Sequence, residues 1–153
     1  MPLALHCGGL DETGALLPQY TGLGLGASPP VSWEGVPPSA VALALLLQNL
    51  DAPLEPAVHW LVFNIPAQAD AILAAVAPDM LLDGGAKHGL NAARRPGYLP
   101  PRPEPGRPLR MRFSLFALDR AAPAGPGASL RQIAGYLSQA IERADLALLA
   151  KAP

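Results

Sequence analysis

Few side chains in this 153-residue sequence can do chemistry, and they are scattered. There are three histidines, His6, His59 and His88, and a single cysteine, Cys7. No two of them stand at a metal-ligand spacing, and a lone cysteine excludes a Cys-based zinc site, so no metal or other cofactor is expected. A histidine near a carboxylate can move protons or donate to a small anion. His59 lies inside the apolar run Val58 to Ile65, and Asp51 stands just before Ala52-Pro53. By residue type alone, His59 reads either as a core histidine satisfied by backbone or as a pocket donor. Asp51 reads either as the cap of a turn or as an acid that tunes such a histidine. Ser28, Ser32 and Ser114 offer nucleophiles for a Ser/His/Asp hydrolase. No G-x-S-x-G elbow is present, and Ser28 before Pro29-Pro30 reads as a turn residue, so hydrolysis stays the remote alternative.

The bulk properties narrow the partners. The formal net charge is −1 and there is no basic block, which leaves nucleic acid without electrostatic support. Arg94, Arg95, Arg102, Arg107, Arg110 and Arg112 are spread through a Pro-rich stretch, which suits a solvated loop or a small anion better than a phosphate backbone. One cysteine allows no internal disulfide, which favours a reducing compartment. The start Met1 to Cys7 lacks a positive leader and has too short an apolar run for a lipoprotein signal, and no run reaches the length of a membrane span. A cytoplasmic protein without an integral membrane segment is expected, with Cys7 buried or half-buried.

These residues need elements to hold them. The nineteen prolines gather in turns and cut the chain into strand-length pieces. Val41 to Leu47 is apolar throughout and bounded by turn residues, which predicts a strand buried on both faces, although its Ala and Leu also suit a helix. Val58 to Ile65 predicts a strand with Val58, Trp60 and Val62 on one face and His59, Leu61 and Phe63 on the other. Arg110 to Leu118 predicts another, with Met111, Phe113, Leu115 and Ala117 on one face. Ser129 followed by Gln132 is a capping-box pattern, and Leu130, Ile133, Leu137 and Ile141 follow at helical spacing, with Gly135 a weak point. Ala144 to Leu149 reads as a short helix or turn, and Ala67 to Val76 as a weaker helix ended by Pro78. Gly84-Gly85 and the run 94–108 read as long loops within one domain, 1–153. The pattern predicts an antiparallel sheet domain with peripheral helices.

Four segments in order carry a resemblance. They are Ser28-Pro29-Pro30-Val31-Ser32-Trp33-Glu34-Gly35-Val36-Pro37, Asn49-Leu50-Asp51-Ala52-Pro53, Val58-His59-Trp60-Leu61-Val62-Phe63-Asn64-Ile65-Pro66, and Gly97-Tyr98 continuing to Arg110-Met111-Arg112-Phe113-Ser114-Leu115-Phe116-Ala117-Leu118-Asp119. Together they resemble the phosphatidylethanolamine-binding (Raf-kinase-inhibitor-like) family, in its bacterial branch. The resemblance implies a mostly β (α+β) fold, a large antiparallel sheet packed on a smaller one, with C-terminal and peripheral helices. It also implies an anion pocket at the ends of central strands, in a family described as binders of head groups, nucleotides or partner proteins.

Residue by residue, His59 matches the family's pocket histidine and Asp51 the second acid of D-P-D-A-P. Asn49 stands at the first acid, and Leu109 and Met111 stand where H-R-Y usually supplies a histidine and a tyrosine. Leu50 replaces a loop proline and Gly26 an asparagine. A one-residue slip around Leu109 would bring Arg110 or Arg107 in as a cation. His88 reads as a loop histidine and His6 as structural or exposed. Losing the donors at 109 and 111 removes the charge-assisted hydrogen bonds that hold a phosphate. The expected function is therefore binding of a small anion or phosphorylated head group by a partly degenerate pocket of His59, Asp51, Asn49, Leu109 and Met111. The alternative is a protein-interaction or inhibitory module using the loop 94–108. Neither is an enzyme. A homodimer is compatible, because bacterial relatives often pair.

Overall fold

A computed structural model describes all 153 residues. Eight strands and one helix form three layers. Strands β1 (Ala4–Cys7), β2 (Val31–Glu34) and β5 (Ala71–Ile72) make a small sheet in the order β1-β2-β5. Strands β3 (Ala42–Asn49), β4 (Ala57–Pro66), β6 (Lys87–His88), β7 (Leu109–Leu118) and β8 (Glu142–Ala150) make a large one in the order β6-β4-β3-β7-β8. Every pairing within the two sheets is antiparallel. The helix α1 (Leu130–Leu137) covers the other face of the large sheet. No helix is long and apolar enough to cross a membrane.

The position of β3 explains its unbroken apolar run. Leu43, Leu45 and Leu47 enter the core between the sheets, and Ala44 and Leu46 enter the core beneath α1. Both faces are sealed, so no polar alternation is needed. The predicted side of β7 also holds: Met111, Phe113, Leu115 and Ala117 lie in the inter-sheet core. At α1 the Ser129 hydroxyl accepts from the Gln132 N–H while the Gln132 side chain accepts from the Ser129 N–H. That capping box satisfies two donors the first turn would otherwise leave free.

Four expectations are corrected. Ala144 to Leu149 is neither helix nor turn but the middle of β8. Its Ala and Leu residues are good helix formers, yet Leu148 and Ala150 alternate into the inter-sheet core and the strand pairs β7 along its whole length. The demand of the open β7 edge overrides propensity here. Ala67 to Val76 is not helical either. Its Asp70 carbonyl accepts from the Trp33 N–H, and Ser28 accepts from the Ala75 and Val76 N–H groups, which draws the segment out as the short β5. The helix stops at Leu137, so Ile141 lies outside it and is exposed. The chain therefore ends on a strand, with its one α-helix before it.

The fourth correction concerns β4. Leu47 pairs Trp60 but Gln48 pairs Val58, so β4 carries an extra residue at His59. Val58 consequently packs beneath α1, not beside Trp60 and Val62 in the inter-sheet core. A second shift, between Leu43 and Leu45, coincides with Asn64 at φ 55° and returns Ile65 to the inter-sheet core. Bulges of this kind bend a strand and re-aim single side chains.

Candidate functional site

The bulge places His59 against the Pro-rich loop. Its Nδ1 lies 2.7 Å from the Leu99 carbonyl, and the Leu99 N–H donates 2.7 Å to the His59 carbonyl. A carbonyl only accepts, so Nδ1 carries the hydrogen and the neutral ring keeps its lone pair on Nε2. Nε2 has no hydrogen-bond partner and is not sealed from solvent, although the residue as a whole is 8% exposed. Burial pushes the ring's pKa below its ordinary value, against a smaller upward pull from the Leu99 carbonyl. At neutral pH the free atom of His59 is thus an acceptor. It becomes a donor to an anion only when the ring is protonated.

Asn49 and Met111 are direct partners across β3 and β7, and Ala57 of β4 pairs Asn49 on its other side. The side-chain oxygen of Asn49 accepts from the Asp51 N–H, closing the turn that ends β3. Asp51 uses both oxygens on Arg110: one accepts from the Arg110 N–H at 2.8 Å, the other from its guanidinium at 2.6 and 2.9 Å. The Arg110 side chain beside it holds the Asp51 carboxyl below the usual carboxylate range. It is thus Asn49 that closes the turn, whereas the Asp51 carboxylate accepts from Arg110 and from no N–H of the turn. Met111 is buried, Leu109 is half-buried two residues before it, and Arg110 and Arg107 are exposed. Asn49 and Met111 thus pair at the ends of β3 and β7, His59 lies in β4 two residues after Ala57, the other partner of Asn49, and Asp51 is bound to Arg110. No hydrogen bond joins His59 to Asn49, Asp51 or Met111.

His88 is not a loop histidine. It lies in β6, fully buried, with Nδ1 donating to the Asp79 carbonyl at 2.6 Å and Nε2 accepting from the Trp60 indole at 3.0 Å. None of the three serines hydrogen-bonds His59. Ser28 accepts from Val76, Ser114 accepts from Arg143, and Ser32 lies in the small sheet. Cys7 is half-buried in β1, and His6 is exposed and meets Glu34 at 3.4 Å. No cluster of three or more His, Cys, Asp or Glu is arranged to hold a metal.

Two clefts lie elsewhere. One of roughly 1000 Å³ runs between α1 and the loops around residues 52–57 and 90–94, with Gln48, Arg94 and Arg131 among its walls. Behind it Arg112 donates to the Gln48 side chain at 3.1 Å, leaving its own buried Nε without a partner. The other, of roughly 600 Å³, is an apolar groove at the edge between the two sheets. His59, Asp51, Asn49, Leu109 and Met111 line neither. Neither cleft was read from the sequence, because each is made by segments that meet only in the fold.

A sequence model of the phosphatidylethanolamine-binding protein family matches residues 11–150. The chain belongs to this family. It is 37% identical over 133 residues to a UPF0098 protein of Methanothermobacter thermautotrophicus, covering 87% of this chain and 86% of that one. A UPF0098 protein of Aquifex aeolicus is 34% identical over 116 residues, 74% of this chain and 67% of that one. Among solved structures, a putative phosphatidylethanolamine-binding protein homologue of Chlamydia trachomatis superposes with a TM-score of 0.84 at 25% identity, covering 99% of this chain and 97% of that one. Escherichia coli YbcL, described as a new member of the mammalian family, shares the fold with a TM-score of 0.87 at 23% identity and full coverage of both chains. The family's two-sheet architecture is the one described above.

Proposed function

We propose that this phosphatidylethanolamine-binding family protein is a binding protein, not an enzyme, and that its site lies at the strand ends around His59, Asn49 and Met111, with Leu109 at the margin and Asp51 as part of the frame. The observation that carries this reading is the His59 ring, with Nδ1 anchored on Leu99 and Nε2 left free. Its ligand class is a small anion or phosphorylated head group, bound in the protonated state of His59. Met111 and Leu109 supply no donors, so one charge-assisted bond from Nε2 replaces several, and affinity is correspondingly modest. Because the anion stabilises the charged ring, binding tightens as the pH falls below the ordinary histidine value of 6.5.

Titration with inorganic phosphate and with acetate, followed on the His59 ring by ¹⁵N and ¹³C NMR, tests this. Millimolar ligand should shift the ring signals at pH 5.5 far more than at pH 7.5, and His59→Ala should abolish the shift elsewhere in the site. An unmoved ring at both pH values would sink the proposal. The protein-interaction alternative draws support from Arg94, Arg95, Arg102 and Arg107, all exposed on the loop 94–108. Binding of a partner that Arg94→Ser with Arg95→Ser abolishes, without any anion effect on His59, would favour it.

A further inference from the structure

Charge is divided along this chain. All eleven lysines and arginines lie at or beyond Lys87, whereas eight of the twelve acidic residues precede it. The stretch 66–86 holds Asp70, Asp79 and Asp83 and no basic residue. In the fold this stretch builds the apolar groove at the open edge between the sheets, with β5 on one side and residues 79–84 on the other. Val62 and Ile65 are buried in its walls, and Leu73 and Leu81 stand 82% and 62% exposed. Asp79 and Asp83 line it and Asp70 adjoins it, and none of the three is in an ion pair.

Its borders are also open in backbone terms. The N–H groups of Leu73, Ala74 and Leu81, all in its walls, donate to no backbone carbonyl. The neighbouring edge strands β5 and β6 are two residues each, and residues 80–82 already pair with the outer side of β6, so the open border there is the far side of that segment, at Leu81. Edges are commonly blunted by lysines; the one lysine on these strands, Lys87 of β6, donates to the Ala124 carbonyl and is not among the groove's walls. Exposed leucines over an apolar floor, unpaired carboxylates and free N–H groups each call for a different component of one ligand. An extended peptide has all three: carbonyls for the N–H groups, apolar side chains for the floor, and basic side chains for the carboxylates.

We propose that this groove binds an extended segment of a partner protein in which apolar and basic residues alternate. A second copy of this chain is the rival occupant, through its Arg/Pro-rich loop 94–108. That loop supplies the charge but not the apolar side chains. Its two large apolar residues are held in its own fold, Tyr98 against Trp60 and donating to the Tyr20 carbonyl, and Leu99 on His59.

Fluorescence polarisation with a labelled Leu-Arg-Leu-Arg-Leu-Arg peptide tests the proposal. It should bind at least tenfold more tightly than both a Leu-Glu and a Ser-Arg hexapeptide of the same length. The double variant Asp79→Asn/Asp83→Asn, and separately Leu73→Ser/Leu81→Ser, should each weaken it at least fivefold while keeping the parent's denaturation midpoint. Equal binding of the Ser-Arg peptide, or undiminished binding by either variant, would overturn it. Sedimentation velocity distinguishes the rival: self-association dissolved by Asp79→Asn/Asp83→Asn would assign the groove to a second copy and overturn the proposal. Sedimentation unchanged by that variant supports a foreign partner.

Discussion

His88 gives its two ring nitrogens opposite duties, one donating to Asp79 and one accepting from Trp60. That division holds only while the ring is neutral, since a proton on Nε2 would confront the indole N–H. Burial lowers the pKa of both His88 and His59 from the ordinary 6.5. Above that value neither folded nor unfolded histidine is charged, and they contribute nothing to the pH dependence. Below it the unfolded chain takes up protons that the folded chain does not, so stability falls with falling pH. The loss is at most about 1.4 kcal/mol per histidine for each pH unit. Urea midpoints should therefore drop between pH 6.5 and 5, and a flat profile there would contradict the neutral-ring assignment. The lowered carboxyls of Asp11, Asp51 and Asp145 act in a separate window, contributing above the ordinary 3.8 and losing that contribution as pH falls through their folded values. Trp60→Phe leaves the His88 acceptor buried and unpaired, which should cost about 1–3 kcal/mol before any packing loss.

At the scale of elements, α1 and β3 make opposite demands. The helix is short and capped at its start, and an added methyl at Gly135 would touch nothing within 4 Å. Gly135→Ala should raise stability by about 1 kcal/mol, and Ser129→Ala should lower it by about 1 kcal/mol, both read from denaturation midpoints. Strand β3 is sealed on both faces, so Leu45→Ala leaves a cavity in the inter-sheet core and should cost about 2–5 kcal/mol. A cost below 1 kcal/mol would mean that the sheets close over the gap. Gly97, at φ 101° and against Pro78, turns the loop so that Tyr98 meets Trp60 edge-on. No side chain is tolerated easily in that conformation.

For the whole molecule, the decisive feature is that β3, β4 and β7 contribute to both cores at once. Neither core can open without exposing the other, so tryptophan fluorescence and far-UV circular dichroism should follow one unfolding transition. Separated transitions would show that the α1 layer melts alone. Strand β8 completes the large sheet with Leu148 and Ala150 in the inter-sheet core. A chain ending at Ala140 should therefore fail to fold, and a soluble, cooperatively unfolding truncation would count against the strand's role.

What the residues determined alone was the set of local units. Three of the four long strands, the capping box and the ordered segments around Trp33, His59 and Tyr98 were legible, because alternation, proline placement and a Ser–Gln pair act over a few residues. Those segments also carried the family. Tertiary structure decided the rest. It drew Ala144 to Leu149 into a strand because β7 offered an unpaired edge. It turned Val58 away from Trp60 because one extra residue at His59 shifts the register. It committed Asp51 to Arg110, fifty-nine positions away in the chain, and brought Asp79 and Asp83 to one groove with Leu73. Each of these depends on partners distant in sequence, and no local pattern records which partner a residue will meet.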